Sequence, residues 1–300
     1  MKNAPIQIEA IIEESLVKKE IDNNSFKIDS SQFRILVIGD SYINGGGIDS
    51  KEKFSKKLSQ FIDEANLISK NSFVLDVSRP SNNTMDNFAT VSHYQPKFKP
   101  HVIIWAYNFN DIIGGVSSQL KEKAPKTFNS NPPKRLSKER KGTKAFMKSI
   151  YSYSELLRHL STELQKELKV NGIVLPVGDF YYLIEKAYSN EEKNWLETKQ
   201  ILNNVTEICQ QSDTKFILYN MPEFNLLQEE NLFSKIDDSF DNYSKSNKYI
   251  TYINGRDDFE DLQDDTYLIS KYDGHPNKAA HAIIANRIAE IILTEFRSNK

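Results

Sequence analysis

Arg34-Ile35-Leu36-Val37-Ile38-Gly39-Asp40-Ser41-Tyr42 sets four consecutive aliphatic residues directly before Gly-Asp-Ser. An unbroken apolar run of this length, rich in Ile and Val, reads as a short strand buried on both faces, the habit of a parallel sheet. Gly39-Asp40-Ser41 ends it abruptly. Tyr42 to Ile48 then carries three glycines, and Lys51 to Leu67 reads as a helix. A small polar residue at the carboxyl end of such a strand stands where open α/β sheets place their ligands. A serine there can turn its hydroxyl into the crevice, beside the dipole of the segment that follows. Taken alone, Gly-Asp-Ser also fits an ordinary turn.

Outward from this stretch the pattern alternates. The spacing predicts a helix over Phe54 to Asn66, with Phe54, Leu58, Phe61, Ile62 and Ala65 on one face. A strand follows at Ser72 to Val77, then a loop at Ser78 to Thr84, then a helix from Met85 to Tyr94 capped by Thr84. Further strands are expected at His101 to Ala106, Lys215 to Met221 (stopped by Pro222) and Tyr249 to Ile253. Helices are expected over Leu196 to Gln211, over Asn225 to Tyr243, and from Asn277 with Ile284, Ile288, Ile291 and Ile292 inward. Strands alternating with helices predict a three-layer α/β/α sandwich on a parallel sheet of about five strands with right-handed crossovers. Residues 1–31 are polar and read as a leading helix over Ile6 to Lys19 followed by a linker. Residues 115–148 are rich in Lys, Pro and Ser and read as an exposed insertion or lid. A helix over Ser149 to Leu168 follows it.

The far end of the chain bears on Ser41. Asp273-Gly274-His275-Pro276-Asn277 brings an acid, a histidine and a helix start within five residues. A serine becomes a good nucleophile when a base takes its proton and a third group holds the base. Ser41, His275 and Asp273 supply those three roles. Gly39-Asp40-Ser41 followed by Asp273-Gly274-His275-Pro276-Asn277 resembles the first and last blocks of the SGNH (GDSL) hydrolases, and the resemblance runs from about Arg34 to Leu293. It implies an SGNH hydrolase domain over 32–300, with the SGNH/flavodoxin-like fold. It also implies an oxyanion hole from the backbone N–H of Ser41, the N–H of a second-block residue and the amide of Asn110. Asn110-Asp111 matches the end of the family's G-x-N-D.

The chain departs from the family in three places. The glycine of G-x-N-D is Asn108. The second-block glycine falls on Ser81, whose N–H can still donate where its backbone angles tolerate a Cβ. The acid stands two residues before the histidine rather than three, a place held by Tyr272. Either Asp273 orients His275 through an altered loop, or Ser41 and His275 act as a pair; Asp264 and Asp265 are the next carboxylates upstream.

Composition narrows the partners. With 39 Lys+Arg against 41 Asp+Glu, the charge gives no reason to expect nucleic acid or an anionic membrane. The single cysteine, Cys209, excludes an internal disulfide and a cysteine-based zinc site, and reads as a buried thiol on a helix. No metal site and no cofactor is expected: Gly45-Gly46-Gly47 lacks the lysine of a phosphate loop and the spacing of a dinucleotide fingerprint. No run is long and apolar enough for a membrane span, and Met1 to Pro5 lacks the apolar core of a signal peptide. A cytoplasmic location is the default expectation, an exported or membrane-anchored parent the alternative. His93, His101, His159 and His281 are read as structural. Tyr181, Tyr182, Tyr188 and Trp195 can stack on a sugar, although packing is the default for such residues. The expected chemistry is hydrolysis of an O-acyl ester, with a carbohydrate O-acetyl group as substrate by analogy. The alternatives are an O-acetyltransferase acting on a glycan, or a catalytically weak fold kept as a glycan-binding module.

Overall fold

Five strands form one sheet: β1 (Phe33–Gly39), β2 (Ser72–Asp76), β3 (Val102–Tyr107), β4 (Lys215–Asn220) and β5 (Ile250–Asn254). Their order is β2-β1-β3-β4-β5, and every neighbouring pair is parallel. The computed structural model describes residues 29, 31–66, 68, 70–112, 186–189, 192–224, 227, 233–259, 266–270 and 273–297. The helices expected over Ile6 to Lys19 and Ser149 to Leu168, the insertion expected at 115–148, and Tyr181, Tyr182, His159, Asp264 and Asp265 lie outside the described residues.

Among the described residues the α-helices are α1 (Ser41–Asn44), α2 (Phe54–Ala65), α3 (Thr84–Phe98), α4 (Lys193–Gln211), α5 (Ser234–Lys245) and α6 (Lys278–Arg297). Successive strand residues point to opposite faces. Ile35 and Val37 of β1, Val102 and Ile104 of β3, and Ile217 of β4 share a buried cluster with Phe54, Leu58 and Ile62 of α2 and Ile284, Ile288 and Ile292 of α6. The alternate residues Leu36, Ile38, Ile103, Trp105, Tyr107 and Leu218 are equally buried. On that side Tyr107 meets Phe240 of α5, which in turn packs on Trp195 of α4. Full burial of each β1 side chain contributes roughly 1.5–3 kcal/mol. That is why this run anchors the sheet.

The strand order places the site. The chain leaves β1, adds β2 on one side, and returns to the other side of β1 with β3. The carboxyl ends of β1 and β3 therefore flank the point where the winding reverses, the usual crevice of such sheets. Ser41 follows β1, and the 3₁₀ turn Phe109–Asp111 follows β3.

Two local expectations are corrected, and one element was not expected. Asn83, not Thr84, caps α3: its Oδ1 accepts the N–H groups of Met85 (2.8 Å) and Asp86 (3.2 Å), while Asp86 accepts the N–H of Asn83 at 3.1 Å. Thr84 instead donates its hydroxyl to the carbonyl of Asp111 at 2.6 Å. The helix expected from Leu196 begins at Lys193, so α4 includes Trp195, whose indole is fully buried. Finally, β6 (Leu268–Ser270) and β7 (Asp273–Pro276) form a small antiparallel hairpin before α6. Nothing in the hydrophobic pattern announces it.

Candidate active site

β1 ends on Gly39, where φ is +155° and a Cβ would stand 2.7 Å from the carbonyl oxygen of Ala106 in β3. Only glycine allows the two strands to close there. Asp40 then caps the single helical turn α1, its Oδ1 accepting the Tyr42 N–H at 2.9 Å. Ser41 is the first residue of that turn, so its backbone N–H belongs to the N-terminal donors of the helix. The turn ends on Gly45 in the left-handed conformation (φ +67°), where a Cβ would come within 2.9 Å of His281. Asn44 donates its amide to the carbonyl of Ser78 at 2.9 Å, and Arg79 N–H bonds the carbonyl of Gly39 at 3.1 Å. The loop after β2 is thus tied to the serine turn.

The hairpin supplies the other two groups. Asp273 and His275 are alternate residues of β7, and alternate residues share a face. A strand in place of a loop is how an acid two residues before the histidine still reaches it. His275 Nδ1 lies 2.6 Å from Asp273 Oδ1, which also accepts the His275 N–H at 3.1 Å. His275 Nε2 lies 2.9 Å from Ser41 Oγ. The acid, imidazole and hydroxyl form one continuous hydrogen-bonded chain. A ring proton on Nδ1 facing the carboxylate leaves Nε2 free to accept from the serine. Asn277 fixes the junction: its amide donates to the carbonyls of Thr266 (2.8 Å) and Leu268 (3.0 Å), while its Oδ1 caps α6 through the N–H groups of Ala279 and Ala280.

Ser81 lies in the turn Arg79-Pro80-Ser81-Asn82, closed by the Asn82 N–H on the carbonyl of Arg79 at 3.2 Å. Its φ is +69°, in the left-handed region. A proline before a left-handed third residue is the habit of a type II turn, which favours glycine at that place. The backbone here holds a conformation that favours glycine while carrying a serine. Asn108 is different. Its φ of −99° is open to any residue, and its side chain caps the 3₁₀ turn by accepting the Asn110 N–H at 3.1 Å. Asn110 is exposed, and its side-chain amide has no hydrogen-bond partner among the described residues. Tyr188 and Thr84 hold this turn from below through the carbonyls of Phe109 (2.5 Å) and Asp111 (2.6 Å). Tyr188 and Trp195 are fully buried core residues, not a sugar-stacking surface.

Two carboxyls near the turn are perturbed. Burial pushes Asp40 up to about 6, opposed by the Tyr42 N–H and by His275. Burial, with the charge of Asp40 second, drives Asp111 well above the usual carboxylate range. His281 is fully buried and accepts the Phe54 N–H on Nδ1 at 2.9 Å; burial lowers it to about 4, so it is a neutral structural group. His101 likewise accepts the Arg34 N–H on Nδ1 at 2.9 Å, and His93 lies 2.9 Å from Lys97 Nζ. Cys209 is buried in α4. Among the described residues no cluster of three or more His, Cys, Asp or Glu could hold a metal ion, and no helix is long and apolar enough to cross a membrane.

Two residues of this region escape a sequence reading. Tyr42 packs its ring on His275, the centroids 5.1 Å apart, and directs its hydroxyl to the buried Glu223. The one available signal was the position of Glu223, an acid just beyond a strand end on the same edge of the sheet.

No family model and no curated protein matches the chain. Solved structures similar to it include TesA, at 11% identity over 87% of this chain and 99% of that one, with a TM-score of 0.48. The psychrotrophic esterase EstA from Pseudoalteromonas sp. is 11% identical over 89% of this chain and all of its own, with a TM-score of 0.46. A member of the lipolytic protein G-D-S-L family from Veillonella parvula DSM 2008 is 8% identical over 86% and 97%, with a TM-score of 0.44. Lipolytic hydrolases of the G-D-S-L kind thus stand among the solved structures this chain is similar to.

Proposed function

We propose that the protein is a serine esterase that hydrolyses an O-acyl ester through Ser41, His275 and Asp273. The observation that carries this reading is the unbroken chain from Asp273 Oδ1 through both nitrogens of His275 to Ser41 Oγ, with bonds of 2.6 and 2.9 Å. His275 Nε2 takes the Ser41 proton as the oxygen attacks the ester carbonyl. The carbonyl oxygen gains the negative charge, and the N–H groups of Ser41 and Ser81 and the amide of Asn110 are the donors proposed to receive it. His275 returns the proton to the leaving alkoxide, which departs as an alcohol. A water molecule, deprotonated by the same nitrogen, then releases the acid from Ser41.

An open groove of about 520 Å³ has Ile48 of the loop after α1 and Leu268 and Ile269 of β6 among its walls. Neither Ser41 nor His275 is among its lining residues, so the esterase reading rests on the hydrogen-bonded chain and not on this groove. The finer reading is an O-acetyl group on a carbohydrate, which rests on the family resemblance. The test is hydrolysis of p-nitrophenyl acetate by the wild type and Ser41→Ala, with fluorophosphonate labelling of Ser41 alongside. Turnover and labelling that both vanish in the variant support the reading. A wild type that neither turns over nor labels overturns it and leaves the glycan-binding module. Adding an oligosaccharide acceptor and finding acetylated product instead of free acetate would move the assignment to a transferase.

A further inference from the structure

Asp273 and His275 sit on a hairpin of two short strands, and their side chains remain about one-third exposed (32% and 38%). A base held only by that bond could tilt away from the serine. The opposite support comes from the sheet. The Tyr42 ring lies against the imidazole at 5.1 Å between centroids and 48° between planes. Tyr42 is itself pinned at both ends. Its N–H bonds Asp40 Oδ1 at 2.9 Å, and its hydroxyl bonds Glu223 across both carboxylate oxygens, at 3.0 and 2.9 Å. Glu223 is buried, placed by Pro222 at the carboxyl end of β4, a strand that supplies no member of the Ser-His-Asp chain. Phe224 packs on the same tyrosine at 6.3 Å.

We propose that Glu223 and Tyr42 form a strut that holds the His275 ring in line between Asp273 and Ser41. Both are positioning residues acting through the imidazole. Without the Glu223 acceptor the tyrosine loses the bond that fixes its hydroxyl end, and the ring it supports loses part of its stop. A displacement of ~1 Å at a catalytic group can cost about a hundredfold in rate. The proposal deepens the esterase reading and rests on it.

The experiment uses the full chain with p-nitrophenyl acetate and fluorophosphonate labelling. Tyr42→Phe removes one hydroxyl and keeps the ring, so it should fold. It should lower kcat about ten- to a hundredfold with KM within about twofold, the signature of an interaction needed in the transition state. Glu223→Ala should do the same, and the double variant should lose no more than the worse single, because the two lie on one path. Glu223→Gln keeps an acceptor and should recover most of that loss. A purely structural role would lower the melting temperature and leave kcat alone. Unchanged kcat in Tyr42→Phe, or fully additive losses in the double variant, overturns the strut. A wild type that neither turns over nor labels Ser41 instead defeats the esterase reading beneath it.

Discussion

The bond between Asp273 and His275 is the sharpest point at which to probe the site, because the spacing of two residues is unusual and the structure supplies a reason for it. Asp273→Asn keeps the shape of the side chain and replaces one acceptor oxygen with a donor or leaves a neutral acceptor. If the amide donates to Nδ1, the ring proton moves to Nε2 and the imidazole cannot take the Ser41 proton. A buried acid of this kind is worth about 10⁴ in rate. Here both side chains are about one-third exposed, so water can compete for Nδ1 and restore part of the correct tautomer. A charge-assisted hydrogen bond contributes about 1.5–3 kcal/mol, and the tautomer shift adds to it. The expected loss in kcat is therefore about 10²–10³, or ~2.7–4 kcal/mol of barrier. Asp273→Ala, which admits water at Nδ1 and introduces no donor, should lose less than Asp273→Asn. The measurement is the initial rate on p-nitrophenyl acetate for the three proteins, with equal melting temperatures as the control. Losses below about tenfold in both variants, ~1.4 kcal/mol, would remove Asp273 from the mechanism and leave Ser41 and His275 as a pair.

Ser41→Ala should lose on the order of a million-fold in kcat, the loss typical of a triad serine, and should melt with the wild type because the side chain fills no core space. Retained turnover in the purified variant would require a different nucleophile. Ser81→Gly should keep activity and gain roughly 1 kcal/mol in denaturant unfolding by relieving the left-handed backbone, whereas Ser81→Pro fixes φ at about −65° and deletes the N–H, so it should lose most turnover; an active proline variant would exclude the Ser81 N–H as an oxyanion donor. Burial raises Asp40 and Asp237 from 3.8 to about 6, so the unfolded chain ionises first and the folded chain holds the extra proton between those values. Their contribution to unfolding free energy should then fall as pH rises from about 4 to about 6, by up to ~3 kcal/mol each at 1.36 kcal/mol per pKa unit. Asp40→Asn, which retains a capping oxygen, should flatten the Asp40 share; an unchanged pH profile in urea titrations would contradict it.

What the sequence reveals and what it hides divide along physical lines. β1, α2 and α6 are legible because burial imposes a period on many residues at once, and a run such as Ile35 to Ile38 has no other economical reading. The sequence reading puts the cap of α3 wrongly at Thr84, although the chain carries the right signal. Asn83 followed by Asp86 is a capping box, and that spacing favours Asn83 over its neighbour Thr84. The β6–β7 hairpin was not legible. Strands of three and four residues, one of them Asp-Gly-His-Pro, are too short and too polar to carry an alternation. Hence the spacing of Asp273 and His275 stood out only as a departure from a family pattern. The strand geometry that makes it workable came from the fold.

Ser81 shows a second limit. Its conformation is set by the turn around it and by the bonds that tie this loop to Gly39 and Asn44, and propensity alone would have put glycine or asparagine there. Tyr42 and Glu223 show the deepest one. They lie 181 residues apart in the chain, and they meet because β4 stands two places from β1 in the sheet order. Neither residue type signals such a pairing. The alternation of strands and helices implies a parallel sheet but not its order, and the observed order carries a general consequence. Ser41 and Asn110 follow the carboxyl ends of β1 and β3, where the winding reverses, and the β6–β7 hairpin brings His275 and Asp273 to Ser41, so the end of the next strand, β4, is fixed ground from which a side chain can brace the imidazole. An acid at that end, buried and held by a proline before it, is placed to reach the residue beside the nucleophile. That placement, rather than the identity of either residue, is what makes Glu223 part of the site's support.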